Sequence, residues 1–356
     1  MFLLTRQFSS MEEIDYLIYF IWRSLINVMQ KSPNDIYLDI KETVESLFNL
    51  KVRNEVPLQL GLLNLKWKVE SDDGEYVIKQ FSKERYERFD LKKVAFEQEI
   101  ALREQLRQYY RGTPCPRILT YNDNVIHKTR NDERFTIMTY LPGENLLPGT
   151  LNESQMFSFG QKTGQMHNIF NDGTKEKDVP KFIPPSTKHR LQYWESLKEM
   201  NNANTPFIKI VEQQISATKE FNLKKIKEFE SGWAHRDLWV DNVLFNGNQL
   251  SAILDFDRVA YDYLELDIAR AIMSGALMGN VFNSNAARSF INGYRTRRYF
   301  ERGVFVRSLK LLWYLESTWW ITPQIDNNRY QEIQFYNEMV WLGAHFPNLI
   351  KLFEDY

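Results

Sequence analysis

His235-Arg236-Asp237-Leu238-Trp239-Val240-Asp241-Asn242 and the run Ile253-Leu254-Asp255-Phe256-Asp257, whose Asp255 lies thirteen positions past Asn242, decide how this chain is read. Between them lie Val243-Leu244-Phe245, the turn Asn246-Gly247-Asn248, and Ala252-Ile253-Leu254, which together have the pattern of a short β-hairpin. One loop therefore offers a carboxylate, Asp237, and five residues later a neutral oxygen ligand, Asn242. The hairpin then delivers a second carboxylate, Asp255, set among apolar neighbours. Scattered carboxylates usually mark a solvated surface. An Asp-x4-Asn followed by a hairpin and an apolar-flanked Asp is hard to obtain by chance.

These side chains match the needs of phosphoryl transfer. The transferred group is strongly anionic and its transition state is loose, so catalysis is mostly positioning and charge neutralisation. A carboxylate has to sit near the attacking hydroxyl, which is the task for Asp237. Hard oxygen ligands have to hold Mg²⁺ against nucleotide phosphates, a task for Asn242 and Asp255.

The segment upstream of residue 141 has a different character. Leu65 to Glu70 and Glu75 to Phe81 read as strands around the turn Ser71-Asp72-Asp73-Gly74. A helical pattern runs from Leu91 to Tyr109 and ends before Pro114 and Pro116. Val125 to His127 and Phe135 to Tyr140 read as two further strands. Leu141-Pro142-Gly143 breaks the pattern, and helices dominate beyond it. The expectation is an α+β protein of two lobes with a cleft between them. The proposed division is a helical extension over 1–50, a small antiparallel-sheet lobe over 51–140 that holds nucleotide, and a mainly helical lobe over 141–356. In the extension, Ile14, Leu17, Ile18, Ile21, Leu25 and Val28 fall at helical spacing, which predicts an amphipathic helix docked on the body, with a homodimer contact or a surface anchor as the alternatives.

Lys79 lies on an otherwise apolar strand, Tyr76-Val77-Ile78-Lys79. A lysine pointing inward there needs an anionic partner. Glu99 shares a helix face with Leu102 and Leu106 and is the expected partner, with Glu97 second. The segment before the hairpin that bears Lys79, Leu60-Gly61-Leu62-Leu63-Asn64, where a phosphate-covering loop would be expected, carries a single glycine and no Gly-x-Gly-x-x-Gly.

Composition excludes other classes. The 356 residues are 43% apolar and 26% charged, with formal net charge −1. That balance gives no electrostatic case for nucleic acid. Ile14 to Met29 is too short and too charged to span a bilayer. One cysteine, Cys115, rules out an intrachain disulfide and points to a reducing, cytoplasmic setting.

The pattern His-x-Asp-x4-Asn, then Ile-Leu-Asp-Phe-Asp, then Tyr263-Leu264-Glu265-Leu266-Asp267-Ile268-Ala269 resembles the aminoglycoside phosphotransferase superfamily, which includes choline kinases, type II homoserine kinases and spore-coat kinase-like proteins. The helix Phe159-Gly160-Gln161-Lys162-Thr163-Gly164-Gln165-Met166-His167 resembles that family too. No Ala-Pro-Glu motif follows, which argues against a protein kinase. The resemblance implies a protein-kinase-like fold and transfer of phosphate from ATP or GTP, with Mg²⁺, to a small-molecule hydroxyl. It implies Asp237 as the base or hydroxyl-orienting group, Asn242 and Asp255 as Mg²⁺ ligands, and Met138, Thr139 and Leu141 at the base-binding hinge. His235 and Asp267 would brace the catalytic loop. Asp257 would assist the metal, meet a substrate amine or bond the backbone. For the acceptor, Trp313, Tyr314, Trp319, Trp320, Tyr336 and Trp341 are either helix packing or an amine-binding cage, with Glu316 as an available counter-charge. The alternative is a kinase-like binding or structural protein without catalysis.

Overall fold

The computed structural model describes residues 32–58, 64–82, 91–201, 204–323, 330–354 and 356. The expected amphipathic helix near the N-terminus and most of the single-glycine segment lie outside the described residues.

Helix α1 (Pro33–Phe48) begins at an N-cap, Ser32, whose hydroxyl accepts the Asp35 N–H, with proline in the first turn. Strand β1 (Val52–Pro57), which the sequence pattern did not reveal, follows it. Strands β2 (Lys66–Ser71) and β3 (Gly74–Phe81) form the expected hairpin, with Ser71 opposite Gly74. Helix α2 (Leu91–Tyr110) leads to β4 (His127–Lys128) and β5 (Arg134–Thr139). Val125 and Ile126, expected in a strand, lie just before β4 in irregular backbone. The five strands make one antiparallel sheet in the order β1-β2-β3-β5-β4.

The sheet has two different faces because strand side chains alternate. Trp67, Val69, Ile78, Phe135 and Ile137 bury against Tyr37, Ile40 and Val44 of α1. The Tyr37 and Trp67 rings are 5.3 Å apart. The opposite face carries Lys66, Lys68 and Lys79, and it looks into the rest of the chain.

The helical part begins with α3 (Glu153–Phe170), entered through a capping box between Asn152 and Gln155. Helices α4 (Thr187–Met200) and α5 (Thr205–Glu220) precede β6 (Ser231–Ala234). Strands β7 (Val243–Asn246) and β8 (Gln249–Ile253) are the hairpin read from the sequence. Strand β9 (Ala260–Tyr263) pairs with β6 and runs directly into α6 (Leu264–Ala276). A small β10–β11 pair (Leu277–Met278, Val281–Phe282) precedes α7 (Ser284–Arg295), α8 (Val304–Trp320), α9 (Tyr330–His345) and α10 (Leu349–Leu352).

Glycine sets two close approaches in this arrangement. Helices α3 and α7 pack backbone to backbone, and a Cβ on Gly160 would lie 1.9 Å from the Phe290 carbonyl oxygen. At the exit from the sheet, Gly143 has φ +155°, and a Cβ there would meet Ser251 Oγ at 2.6 Å. The next residue, Glu144, then exchanges backbone hydrogen bonds of 2.9 and 3.0 Å with Phe245 of β7. The hinge strand is thereby fastened to the hairpin that carries the site.

Candidate active site

The loop after β6 is held from beneath by Asp267, in the first turn of α6. One carboxylate oxygen accepts the His235 N–H at 2.7 Å and lies 3.0 Å from His167 Nε2; the other accepts the Arg236 N–H at 2.7 Å. Burial disfavours the Asp267 charge, yet the bond from His167 and the neighbouring donors hold its carboxyl below the usual aspartate value. Arg236 needs this support because its φ is +65°, a left-handed conformation unfavourable for a side chain that is not glycine. Its guanidinium also pairs with buried Asp262 at 2.6 Å. His235 is fully buried, with its ring edge-on to Phe256, and Nε2 lies 3.0 Å from the Leu254 carbonyl. That contact requires the proton on Nε2 and ties the loop to the start of the Asp255 turn. His235 and Asp267 thus occupy bracing positions rather than open ones.

Past the brace, the Asp237 carboxylate is half-buried and makes no hydrogen bond among the described residues. Its backbone carbonyl accepts the Asn242 side-chain N–H at 2.8 Å. This bond spends the nitrogen of Asn242 and leaves its side-chain oxygen for another ligand. Leu254 N–H donates to the Asn242 carbonyl at 2.8 Å, just beyond the last β7–β8 pair, Val243 with Ile253. The hairpin therefore brings Asn242 and Asp255 to the same end of the ladder. Asp255 itself has φ +58°, which turns it out of the strand direction.

The Asp255 carboxylate is gripped by two lysines from the sheet. Lys79 Nζ is 2.7 Å from one oxygen, and Lys66 Nζ is 3.2 Å from the other. Lys79 also lies 2.7 Å from Asp257, which accepts a 3.3 Å bond from Asn64. Burial opposes ionisation of both partners, but the contacts win. The lysines hold Asp255 far below the ordinary carboxylate range, and the two aspartates hold Lys79 above the ordinary lysine value.

This arrangement corrects one expectation. Lys79 points inward, but it pairs with Asp255 and Asp257 rather than with Glu99 or Glu97. Glu99 is exposed and bonds Arg103 on its own helix, while Glu97 pairs with Lys181. The inward face of α2 carries Gln98, Ala101, Leu102 and Gln105 instead. The inward position of α2 falls at Gln98, one residue before Glu99, and the two aspartates supply the charge expected of the glutamate. At the hinge, Met138 is buried, with its sulfur 3.8 Å from Gln105 Nε2. Thr139 donates its N–H to the Arg117 carbonyl and accepts the Arg117 N–H on its hydroxyl, both at 2.9 Å. Its N–H and hydroxyl are therefore both engaged within the chain. Leu141 follows two residues further along.

The aromatic residues of the helical part separate into fully buried and half-buried ones. Trp313, Tyr314 and Trp341 are core: Trp313 donates to Gln214 at 2.7 Å, Tyr314 stacks on Phe221 and Trp341 stacks on Phe282. Trp319 and Tyr336 are half-buried. Trp320 packs at the partly buried margin of the same core, with its ring 4.6 Å from Phe335, which in turn lies 4.8 Å from Trp239 of the loop after β6. Trp320 Nε1 donates to Glu316 at 3.0 Å. Arg270 forms ion pairs with both Glu316 and Glu338, and its guanidinium lies over Phe335. Burial raises both glutamate pKa values, Arg270 opposes this, and Asp237 is close enough to push Glu316 further up. Lys66, Arg270, Glu338, Trp239 and Phe335 were missed in the sequence. Only Lys66 had a readable signal, because the Ser71–Gly74 turn fixes it opposite Lys79.

A sheet lobe and a helical lobe, joined where an Asp-x4-Asn loop meets a hairpin-borne aspartate and strand lysines, define a kinase-like phosphotransferase architecture. Residues 55–302 match the phosphotransferase enzyme family, and the chain belongs to that family. It is 25% identical over 197 residues to a homoserine kinase of Rhodopseudomonas palustris strain BisA53, covering 54% of this chain and 56% of that one. The chain thus matches a little over half the length of that relative. The fold is similar to that of spectinomycin phosphotransferase in complex with ADP and spectinomycin, at 13% identity and TM-score 0.56, covering 87% of this chain and 98% of the other. It is also similar to a microcompartment-associated aminopropanol kinase, at 14% identity and TM-score 0.58, covering 87% and 97%. No described helix is long and apolar enough to cross a membrane.

Proposed function

We propose that this chain transfers the terminal phosphate of ATP or GTP to a hydroxyl of a small, amine-bearing molecule, such as an amino alcohol, a homoserine-like amino acid or an aminoglycoside-like compound. The observation that carries the reading is Asp237. Its carboxylate is left without a hydrogen-bond partner among the described residues, on the same loop as Asn242 and close enough to Glu316 and Arg270 to interact with their charges.

Asn242 and Asp255 suit Mg²⁺. Their donors are hard oxygens, and Mg²⁺ commonly takes one or two protein ligands and completes its octahedron with water and phosphate. The bond from Asn242 to the Asp237 carbonyl aims an oxygen, not a nitrogen, at such an ion. A bound Mg²⁺ would neutralise charge on the phosphates. Lys79 would contact them, and backbone groups of Thr139 and Leu141 would hold the base beside Met138. Asp237 would orient the acceptor hydroxyl and receive its proton late in the transfer.

The amine preference rests on the carboxylates near Asp237. Glu316 and Glu338 both pair with Arg270, beside the rings of Trp320, Phe335 and Trp239, and Glu316 also feels the charge of Arg258. A cationic group placed there gains both charge compensation and cation–π attraction. The neighbours named above bear hydroxyl-acceptor names of this kind, which supports the same class here.

The test is an ATP- and GTP-consumption screen across amino alcohols, amino acids, sugars and aminoglycosides, with phosphorylated product identified by mass spectrometry. Wild type and Asp237→Asn are run side by side, and the variant is expected to turn over ~10²–10⁴-fold more slowly. Equal product from both would remove Asp237 from its role. No product from any acceptor would favour a kinase-like binding protein.

A further inference from the structure

We propose that Lys66 is a second phosphate-binding lysine, which works with Lys79 to hold the terminal phosphates of a nucleoside di- or triphosphate. The inference rests on the nucleotide-dependent reading above.

The argument starts from strand register. The β2–β3 turn pairs Ser71 with Gly74, and each step back along the hairpin leads to Lys66 opposite Lys79. Directly opposed residues project from the same face. That face is the one not covered by α1, since Trp67, Val69 and Ile78 between them bury on the α1 side. Two like charges placed side by side on a partly buried surface repel unless an anion bridges them. Here the bridge is Asp255, with one carboxylate oxygen on each ammonium. The carboxylate thus marks the point between the two lysines where an anionic oxygen is stabilised.

The two lysines are not equivalent. Lys79 has Asp257 as a second partner at 2.7 Å. Lys66 is only 18% exposed at its side chain, and Asp255 is its one ion-pair partner among the described residues. Lys68, two residues along on the same face, is already committed to Glu75 and to the Tyr140 ring. If Asp255 turns to a cation, Lys79 keeps a carboxylate and Lys66 keeps none. Lys66 then has to stay buried without an anion, which is unfavourable, or pair with phosphate oxygen. The sequence gives a reason for such a residue. The segment before β2 has one glycine, so it is poorly suited to cradle phosphates with closely approaching backbone N–H groups. A lysine side chain at the start of β2, two residues past that segment, supplies positive charge without requiring glycine.

The experiment measures direct binding of ATP, ADP and AMP, with Mg²⁺ and without acceptor, to wild type, Lys66→Gln and Lys66→Arg. Each protein is first checked for an unchanged fold by circular dichroism. Lys66→Gln is expected to weaken ATP and ADP by about ten-fold or more, the size of one lost charge-assisted contact, while AMP changes much less. Lys66→Arg should recover most of the loss. If Lys66→Gln binds ATP and ADP as tightly as wild type, the proposal is wrong. It is also overturned if the variant alters only the Mg²⁺ concentration needed, because Lys66 would then merely hold Asp255. A wild-type protein that binds none of the three would instead remove the nucleotide-dependent reading itself, and Lys66 with it.

Discussion

The Asp267 carboxylate accepts the backbone N–H of Arg236 at 2.7 Å and so holds a residue that is not glycine at φ +65°. The same side chain takes the His235 N–H and the His167 ring, so three donors depend on one buried acceptor. Asp267→Asn would set an amide NH₂ against at least one of them. Denaturant unfolding should show a loss of roughly 1–3 kcal/mol, the cost of leaving a buried donor unpaired. The pH dependence follows from the depressed pKa. In the folded protein Asp267 releases its proton at lower pH than in the unfolded chain. Its contribution is therefore complete above the unfolded value of ~3.9 and is lost as pH falls below it. Acid unfolding of Asp267→Asn should lack that component, so wild type and variant should converge in stability as the solution is acidified.

The lobes and the loop were legible because they rest on local signals. Turn residues fixed both hairpins, and the fixed spacing of Asp237, Asn242 and Asp255 located the loop. What escaped was tertiary. Strand β1 has a mostly exposed, polar pattern and no period-2 apolar signal. The partner of Lys79 was chosen from helix phase alone, whereas the structure places two aspartates from a turn more than 170 residues away against it. Arg270 and Glu338 lie on different helices, α6 and α9, and nothing in either segment announces the other. The aromatic run after residue 290 could not be sorted into core and pocket before the packing of Trp313 and Trp320 was known.

The grip of Lys79 and Lys66 on Asp255 gives a direct expectation for Asp255→Asn. The substitution removes the charge but keeps the shape, and Lys79 retains Asp257. The protein should stay folded by circular dichroism, and phosphoryl transfer should fall below detection. Nucleotide affinity measured with and without Mg²⁺ should no longer differ. Transfer close to the wild-type rate would reject Asp255 as a metal ligand.

Packing between α3 and α7 predicts a stability change remote from the chemistry. Gly160→Ala would place a methyl group 1.9 Å from the Phe290 carbonyl oxygen, which is backbone and cannot rotate away. The helices would have to separate, and Gly293, whose Cβ would lie 2.0 Å from the Phe157 carbonyl oxygen, shows that the approach is equally tight from the other side. Overpacking of this kind typically costs about 1–3 kcal/mol, against a helix-propensity gain of up to ~1 kcal/mol for replacing glycine. Thermal melting should therefore shift downward. An unchanged or raised midpoint would mean that α3 and α7 do not meet as closely as described.

The proposed acceptor region gives a pH-dependent prediction with a definite sign. Glu316 is buried beside Arg270 and receives the Trp320 indole N–H at 3.0 Å. Burial raises its pKa above the ordinary glutamate value of ~4.3, and the nearby Asp237 adds to the rise. As pH increases through that raised value, Glu316 gains charge and the pocket gains attraction for an ammonium group. The kcat/KM for an amine-bearing acceptor should therefore climb over a range above the usual glutamate titration. Most of that climb should appear in KM, because the charge acts on the bound amine before the transition state as well as in it. Glu316→Gln should flatten the limb and raise KM for amine acceptors by about ten-fold, while nucleotide affinity stays near wild type. Trp320→Leu should raise the same KM by a smaller factor, since a partly exposed cation–π contact is worth roughly 0.5–1 kcal/mol. An acceptor lacking the amine should be indifferent to both substitutions. Equal effects on amine and non-amine acceptors would mean that Glu316 and Trp320 shape the pocket without recognising charge.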